Sequence, residues 1–196
     1  MSKQTDLFYN RFSFLYPLVD VFLQPQKKVL LNEVNAMPAG NLLEIGVGNG
    51  SHLTGYQKHR VTGIDTSEAM LTVARKNSHE RITLLNMNGE SLQFEDQKFD
   101  YVVLSHVIAV VDNPEQLMKE ALRVLKPHGQ IFILNHFTPD NWLKYIDRAG
   151  AAVARTLHFK SLFHIEEIAA VKQVTLVKEI KLGPASYFKI LTYQKN

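Results

Sequence analysis

The chain has no cysteine among its 196 residues, which excludes disulfides and thiolate metal sites and leaves a reducing compartment permitted. It has no run of about 18 apolar residues, the length a membrane span needs. Its first residues lack the basic start, apolar core and small-residue cleavage site of a secretory leader. The expectation is a soluble cytoplasmic protein, at most peripheral on the inner face of the membrane. No repeat, low-complexity tract or linker interrupts the sequence, so residues 1–196 are read as one domain, with 45% apolar residues to fill its core. The net charge of +3 is small but uneven: residues 1–140 hold 13 basic and 15 acidic side chains, residues 141–196 hold 9 and 4. The basic excess belongs to the C-terminal quarter.

What is present is an alternation of short β-rich runs with helical segments. "NLLEIG", "RVTGID", "ITLLNM", "FDYVVLS" and "QIFILNHF" read as strands separated by helices, the pattern of crossover units and a parallel sheet covered on both faces. The clearest helix starts at Asn113, a good N-cap followed by Pro114; Leu117, Ala121 and Leu125 form one face and "KPHG" ends it. Near the C-terminus "VTLVKEIKL" and "YFKILTYQ", joined by "GPAS", predict an antiparallel hairpin finishing one edge. The expected fold is thus α/β, a doubly wound, mostly parallel seven-stranded sheet with a C-terminal hairpin.

The first strand runs into "GVGNGS", with glycines at 46, 48 and 50. A strand, a glycine-rich turn and a helix place free backbone N–H groups at the crevice where such sheets bind ligands. The turn is neither a phosphate loop, which needs GxxxxGK[ST], nor a dinucleotide fingerprint, whose third glycine is replaced by Ser51. Glu44, just before it, is ill placed for a pyrophosphate and suits a ligand carrying an ammonium and a sulfonium. Asp65, closing the second strand, can accept from two ribose hydroxyls. Asn88 can accept from an adenine amino group, and Met70 can cover the ring. Taken singly, these residues serve equally well as a helix cap, a turn amide and a core methionine.

Together "LLEIGVGNG", "VTGIDTSEAM", "LNMNGESLQFEDQKFDYVVLSHV" and "NPEQLMKEALRVLKPHGQIFI" resemble the class I S-adenosylmethionine-dependent methyltransferases, in order and over about half the chain. The resemblance implies a Rossmann-like methyltransferase fold, S-adenosylmethionine as methyl donor and S-adenosylhomocysteine as product, with no metal. By that likeness Glu44, Gly46, Gly48 and Gly50 hold the methionine part and Asp65 with Thr66 the ribose. Met70, Asn88, Gly89 and Glu90 take the adenine end, and Ser105 and His106 lie beneath the donor. Residues 40–137 would form the donor-binding core, 1–30 a helical lid, and 138–196 an acceptor-side helix and the hairpin. The family often has aspartate where Asn88 stands.

Within the class, "HVIAVV", "ILNHF" and "FYNRFSFLY" resemble the soluble bacterial phosphatidylethanolamine N-methyltransferases. Tyr9, Arg11 and Tyr16 match that family's N-terminal pattern, whereas Pro17 replaces a usual aspartate. No NPPY-like tetrapeptide follows the fourth strand, so a nucleic acid is not the expected partner. Tyr9 and Tyr16, seven residues apart, are candidates to orient the acceptor amine and face its cation with their rings; packing aromatics on a lid would look the same. His136, closing the fifth strand, is a candidate proton acceptor or headgroup contact, or else a structural histidine. A C- or O-methyltransferase for a quinone or other small apolar acceptor shares the donor motifs, and a non-catalytic donor-sensing protein would retain them too. Residues 6–23, rich in aromatics, and 141–160, with Lys144, Arg148 and Arg155 on one helical stripe, are candidate contacts to an anionic membrane surface.

Overall fold

The computed structural model describes residues 16–136, 165–183 and 188–196, with the side chains of residues 16–22 and of His136 excepted. Helix α1 spans Tyr16–Ala36. The sheet strands are β1 (Asn41–Ile45), β2 (Arg60–Asp65), β3 (Ile82–Asn86), β4 (Phe99–Ser105), β5 (Leu125–His136), β6 (Val174–Leu182) and β7 (Phe188–Lys195), with helices α2 (Glu68–Lys76) and α3 (Pro114–Val124) between them. Strand order is β3-β2-β1-β4-β5-β7-β6. The first five are parallel neighbours; β7 is antiparallel to both β5 and β6. This is the expected seven-stranded Rossmann-like sheet with its hairpin.

Strand alternation divides the core into two layers. Leu43, Ile45, Val102, Leu104, Ile131 and Ile133 face α3, packing with Leu117, Met118 and Ala121. Their neighbours Leu42, Tyr101, Val103, Phe132 and Leu134 join Leu30 and Val34 of α1 on the opposite face. Asn113 caps α3 as expected, its side-chain oxygen accepting from Gln116 N at 3.0 Å. The helix ends at Val124, one residue short of the expected Leu125, which opens β5 instead, so the chain re-enters the sheet at once. Leu125 pairs with Phe99, a register shift follows, and pairing resumes at Gln130 opposite Tyr101. His128, in left-handed backbone at φ 62°, lies within that irregularity.

One ion cluster fixes the loop between β3 and β4 to α3. Arg123 donates to both oxygens of Glu120 at 2.9 Å, to the carbonyls of Leu92 and Phe94 at 2.9 and 2.8 Å, and to Asp96 at 2.7 Å. Glu120 also accepts from Leu92 N at 2.8 Å. The Arg123 hydrogen bond, then the Leu92 amide, outweigh burial and hold the Glu120 carboxyl below its ordinary range. A carboxylate with a depressed folded-state pKa contributes stability above its unfolded pKa and loses it as pH falls through the folded value. Glu120→Gln is therefore expected to destabilise the fold by about 1–2 kcal/mol at pH 7, the gap from wild type closing below about pH 4. Urea unfolding at both pH values measures it; a pH-independent gap would exclude the carboxylate as its cause.

Candidate active site

The carboxyl ends of β1, β2, β3 and β4 open onto a cleft of about 1020 Å³, counted out to bulk solvent. The glycine turn forms one side. Gly46 N and Val47 N both donate to Ile64 O, at 2.8 and 3.1 Å, which bends the chain off β1. Gly48 has φ 57° and Gly50 φ 67°, a region costly for residues with a Cβ. They serve different ends: Gly48 lines the cleft, while a Cβ on Gly50 would meet Ala74 of α2 at 2.7 Å. The closely approaching partner of Gly50 is thus the protein's own helix.

Asp65 straddles the turn and the head of α2. Its Oδ2 accepts from Gly48 N at 2.8 Å and its Oδ1 from Ser67 N at 2.9 Å. With Thr66 and Met70 it lines the cleft. Asn88 and Gly89 line it from the loop after β3, where Asn88 Oδ1 accepts from Glu90 N at 3.0 Å. Ser105 and His106 complete the wall at the end of β4. The Ser105 hydroxyl is buried without a hydrogen-bond partner, a polar atom left for a ligand. His106 has φ 58°, donates its backbone N–H to Leu134 O at 2.7 Å and sets its ring edge-on to Phe188 at 5.8 Å.

Three expected donor residues are set back from the cleft wall. Gly50 packs on α2, and Glu90 Oε1 accepts from Asn113 N at 3.1 Å. Glu44, fully buried, lies behind the turn: its Oε1 is 2.7 Å from His52 Nε2, and its Oε2 accepts from Tyr56 OH at 2.9 Å. Burial first, and the neighbouring carboxylate next, push the Tyr56 hydroxyl well above its usual pKa, so it remains a protonated donor. The placement of Glu44 supports a bracket for the turn rather than direct contact with a ligand. Tyr9 lies outside the described residues. Tyr16 opens α1, and the backbone of His136 pairs with Phe188, two residues beyond the Leu134 that faces Ser105.

Part of the wall carries no motif in the sequence. Leu23 and Lys27 of α1 line the cleft beside Val107, Val110 and Val111. The signal for α1 was a row of residues at 23, 27, 30 and 34. For His52 and Tyr56, in a turn without periodicity, there was none.

A family described as "Methyltransferase domain" matches residues 43–133. A phosphatidylethanolamine N-methyltransferase of Cereibacter sphaeroides is 36% identical over 170 residues, 83% of each chain. The chain belongs to the S-adenosylmethionine-dependent methyltransferases. A ubiquinone/menaquinone biosynthesis C-methyltransferase of Shewanella sediminis is 29% identical over 126 residues, 59% of this chain and 50% of its own length. An S-adenosylmethionine-dependent methyltransferase from Thermotoga maritima shares the fold at a TM-score of 0.70 and 21% identity, covering 96% of this chain and 100% of that one. S-adenosylmethionine is therefore the cofactor and S-adenosylhomocysteine its product. The wall fits them: Asp65 and the Ser105 hydroxyl offer polar partners in a cleft otherwise lined largely by apolar side chains and backbone. Among the described residues no cluster of three or more His, Asp or Glu suits a metal ion, and no helix is long and apolar enough to cross a membrane.

Proposed function

We propose that this methyltransferase acts on the amine of phosphatidylethanolamine. The observation that carries the reading is the extent of the likeness to the Cereibacter sphaeroides enzyme, 83% of both chains. Likeness to the Shewanella sediminis quinone enzyme spans 59% of this chain and half of that one. The cofactor supplies an electrophilic methyl on a sulfonium; the residues of this chain need only align an acceptor in line with it, and alignment alone can supply about 7–11 kcal/mol of a barrier.

Val107, Val110 and Val111 give the cleft an apolar side, where a neutral amine is favoured over an ammonium. In this reading Asp65, Thr66, Gly46 and Gly48 hold the donor with Met70, Asn88, Gly89, Ser105 and His106, and Glu44, Gly50 and Glu90 support that wall from behind. Tyr16 and His136 stand on α1 and β5 as acceptor-side candidates, with Tyr9 preceding them. Contact with an anionic membrane surface is part of the proposal: residues 141–160, and residues 6–15 of the N-terminal segment, lie outside the described residues.

Incubation with methyl-labelled donor and separate lipid and quinone substrates tests the assignment. Label is expected in mono- and dimethylated phosphatidylethanolamine, with an initial rate that rises with pH as the neutral amine fraction grows. Label in a quinone and in no lipid overturns the acceptor while leaving fold and cofactor intact.

A further inference from the structure

Strand β7 runs antiparallel to β5, so its first residue, Phe188, stands at the carboxyl edge of the sheet, paired with His136 of β5 on one side and Leu182 of β6 on the other. Strand alternation fixes its face. Ser105, Leu134 and Ile190 form one cross-strand row, with Leu134 and Ile190 buried in the α1 layer. Phe188, two residues before Ile190, shares that face one row nearer the edge. Its ring meets the His106 ring at 5.8 Å between centroids and 84° between planes, and His106 lines the cleft with Ser105. Ile190 is fully buried, whereas Phe188 is half-buried, so part of an aromatic residue is left exposed beside the cleft wall.

The inference rests on the reading of an amine as acceptor. At each transfer the lone pair of the neutral nitrogen forms the N–C bond while the S–C bond breaks and its electron pair returns to sulfur, leaving S-adenosylhomocysteine and an ammonium. After the first and second transfers the ammonium still has N–H groups that donate hydrogen bonds, and it releases a proton to solvent before reacting again. After the third it has none. That charge is permanent and is met only by an anion or by the π-face of a ring, which needs no hydrogen bond. Asp65, the one carboxylate among the described residues that line the cleft, closes β2, and β1 and β4 separate it from β5. We propose that the Phe188 ring borders the position of the acceptor nitrogen and favours the later methyl transfers. Phe188 is then a specificity determinant for the number of methyls the amine receives.

Initial rates with methyl-labelled donor and phosphatidylethanolamine, its monomethyl or its dimethyl derivative, each supplied separately in detergent micelles, test the assignment on wild type, Phe188→Leu and Phe188→Tyr. Leucine keeps an apolar side chain and removes the π-face; tyrosine keeps the ring. Phe188→Leu is expected to lower kcat/KM for the dimethyl acceptor about tenfold, the size of a desolvated cation–π contact, and for the unmethylated one by less than about threefold. Phe188→Tyr is expected to stay within about threefold of wild type on all three, since its ring presents a comparable π-face. Titration with S-adenosylhomocysteine is expected to give both variants wild-type donor affinity, which also shows that they fold. Phe188→Met, a second variant without a ring, is read in the same way if leucine disturbs β7. An equal loss on all three acceptors, a loss that follows donor affinity, or no loss without the ring overturns the proposal, the first two marking a packing role. Wild type that labels none of the three amines overturns the amine reading itself, an outcome distinguishable because it precedes any substitution.

Discussion

Asp65→Asn is expected to weaken S-adenosylhomocysteine binding by about 100-fold or more. Both carboxylate oxygens accept a backbone N–H, from Gly48 and Ser67, and an ionised carboxylate, with about four lone-pair sites, can accept from ribose hydroxyls as well. An asparagine replaces one acceptor oxygen with an NH₂ group that faces a backbone N–H. The carboxylate charge that strengthens the bonds to two ribose hydroxyls is lost, at about 1.5 kcal/mol for each. A sum near 3 kcal/mol corresponds to roughly two decades in Kd. Calorimetry on the folded variant, with folding checked by circular dichroism, reads the effect. Wild-type affinity would remove Asp65 from the donor site.

The strands were legible because a parallel sheet buried on both faces writes itself as apolar runs closed by glycine or by acid. The hairpin order was legible too, though less directly. β7 inserts beside β5 with Ile190, Leu191, Thr192 and Tyr193 buried, while β6 bears Lys178, Glu179 and Lys181 at the sheet margin, where charge discourages pairing with another chain. Asp65, Met70, Asn88 and Ser105 were found because each ends a strand or follows one closely, and the carboxyl edge of the sheet collects them in one cleft.

Lys27 and the surroundings of Glu44 were missed for different reasons. Lys27 stands in a regular helical row, but the row has meaning only once α1 is seen lying over the glycine turn. Glu44 shares strand parity with Leu42, and Leu43 and Ile45 face the other layer. That parity already turns its side chain toward the α1 face instead of the strand end where the cleft opens. Its partners, 8 and 12 residues downstream, flank a short 3₁₀ segment, Leu53–Gly55, whose path no local pattern specifies.

That bracket sets the other large expected effect. Glu44→Ala removes a fully buried carboxylate and leaves the Tyr56 hydroxyl and His52 Nε2 without partners, beside a cavity. Breaking such a buried charged network costs about 3–5 kcal/mol, a large share of the 5–15 kcal/mol that holds a domain together. Glu44→Gln fills the same space, and its amide oxygen still accepts from one partner, so a milder loss of about 1–2 kcal/mol is expected. Chemical denaturation ranks the pair, and calorimetry on the folded glutamine variant shows what reaches the ligand. Because the carboxylate braces the turn from behind, donor affinity in Glu44→Gln should fall less than tenfold while stability drops. The reverse pattern, unchanged stability with a tenfold or greater loss of S-adenosylhomocysteine binding, would mean that Glu44 turns into the cleft to meet the methionine end, and the bracket would be lost.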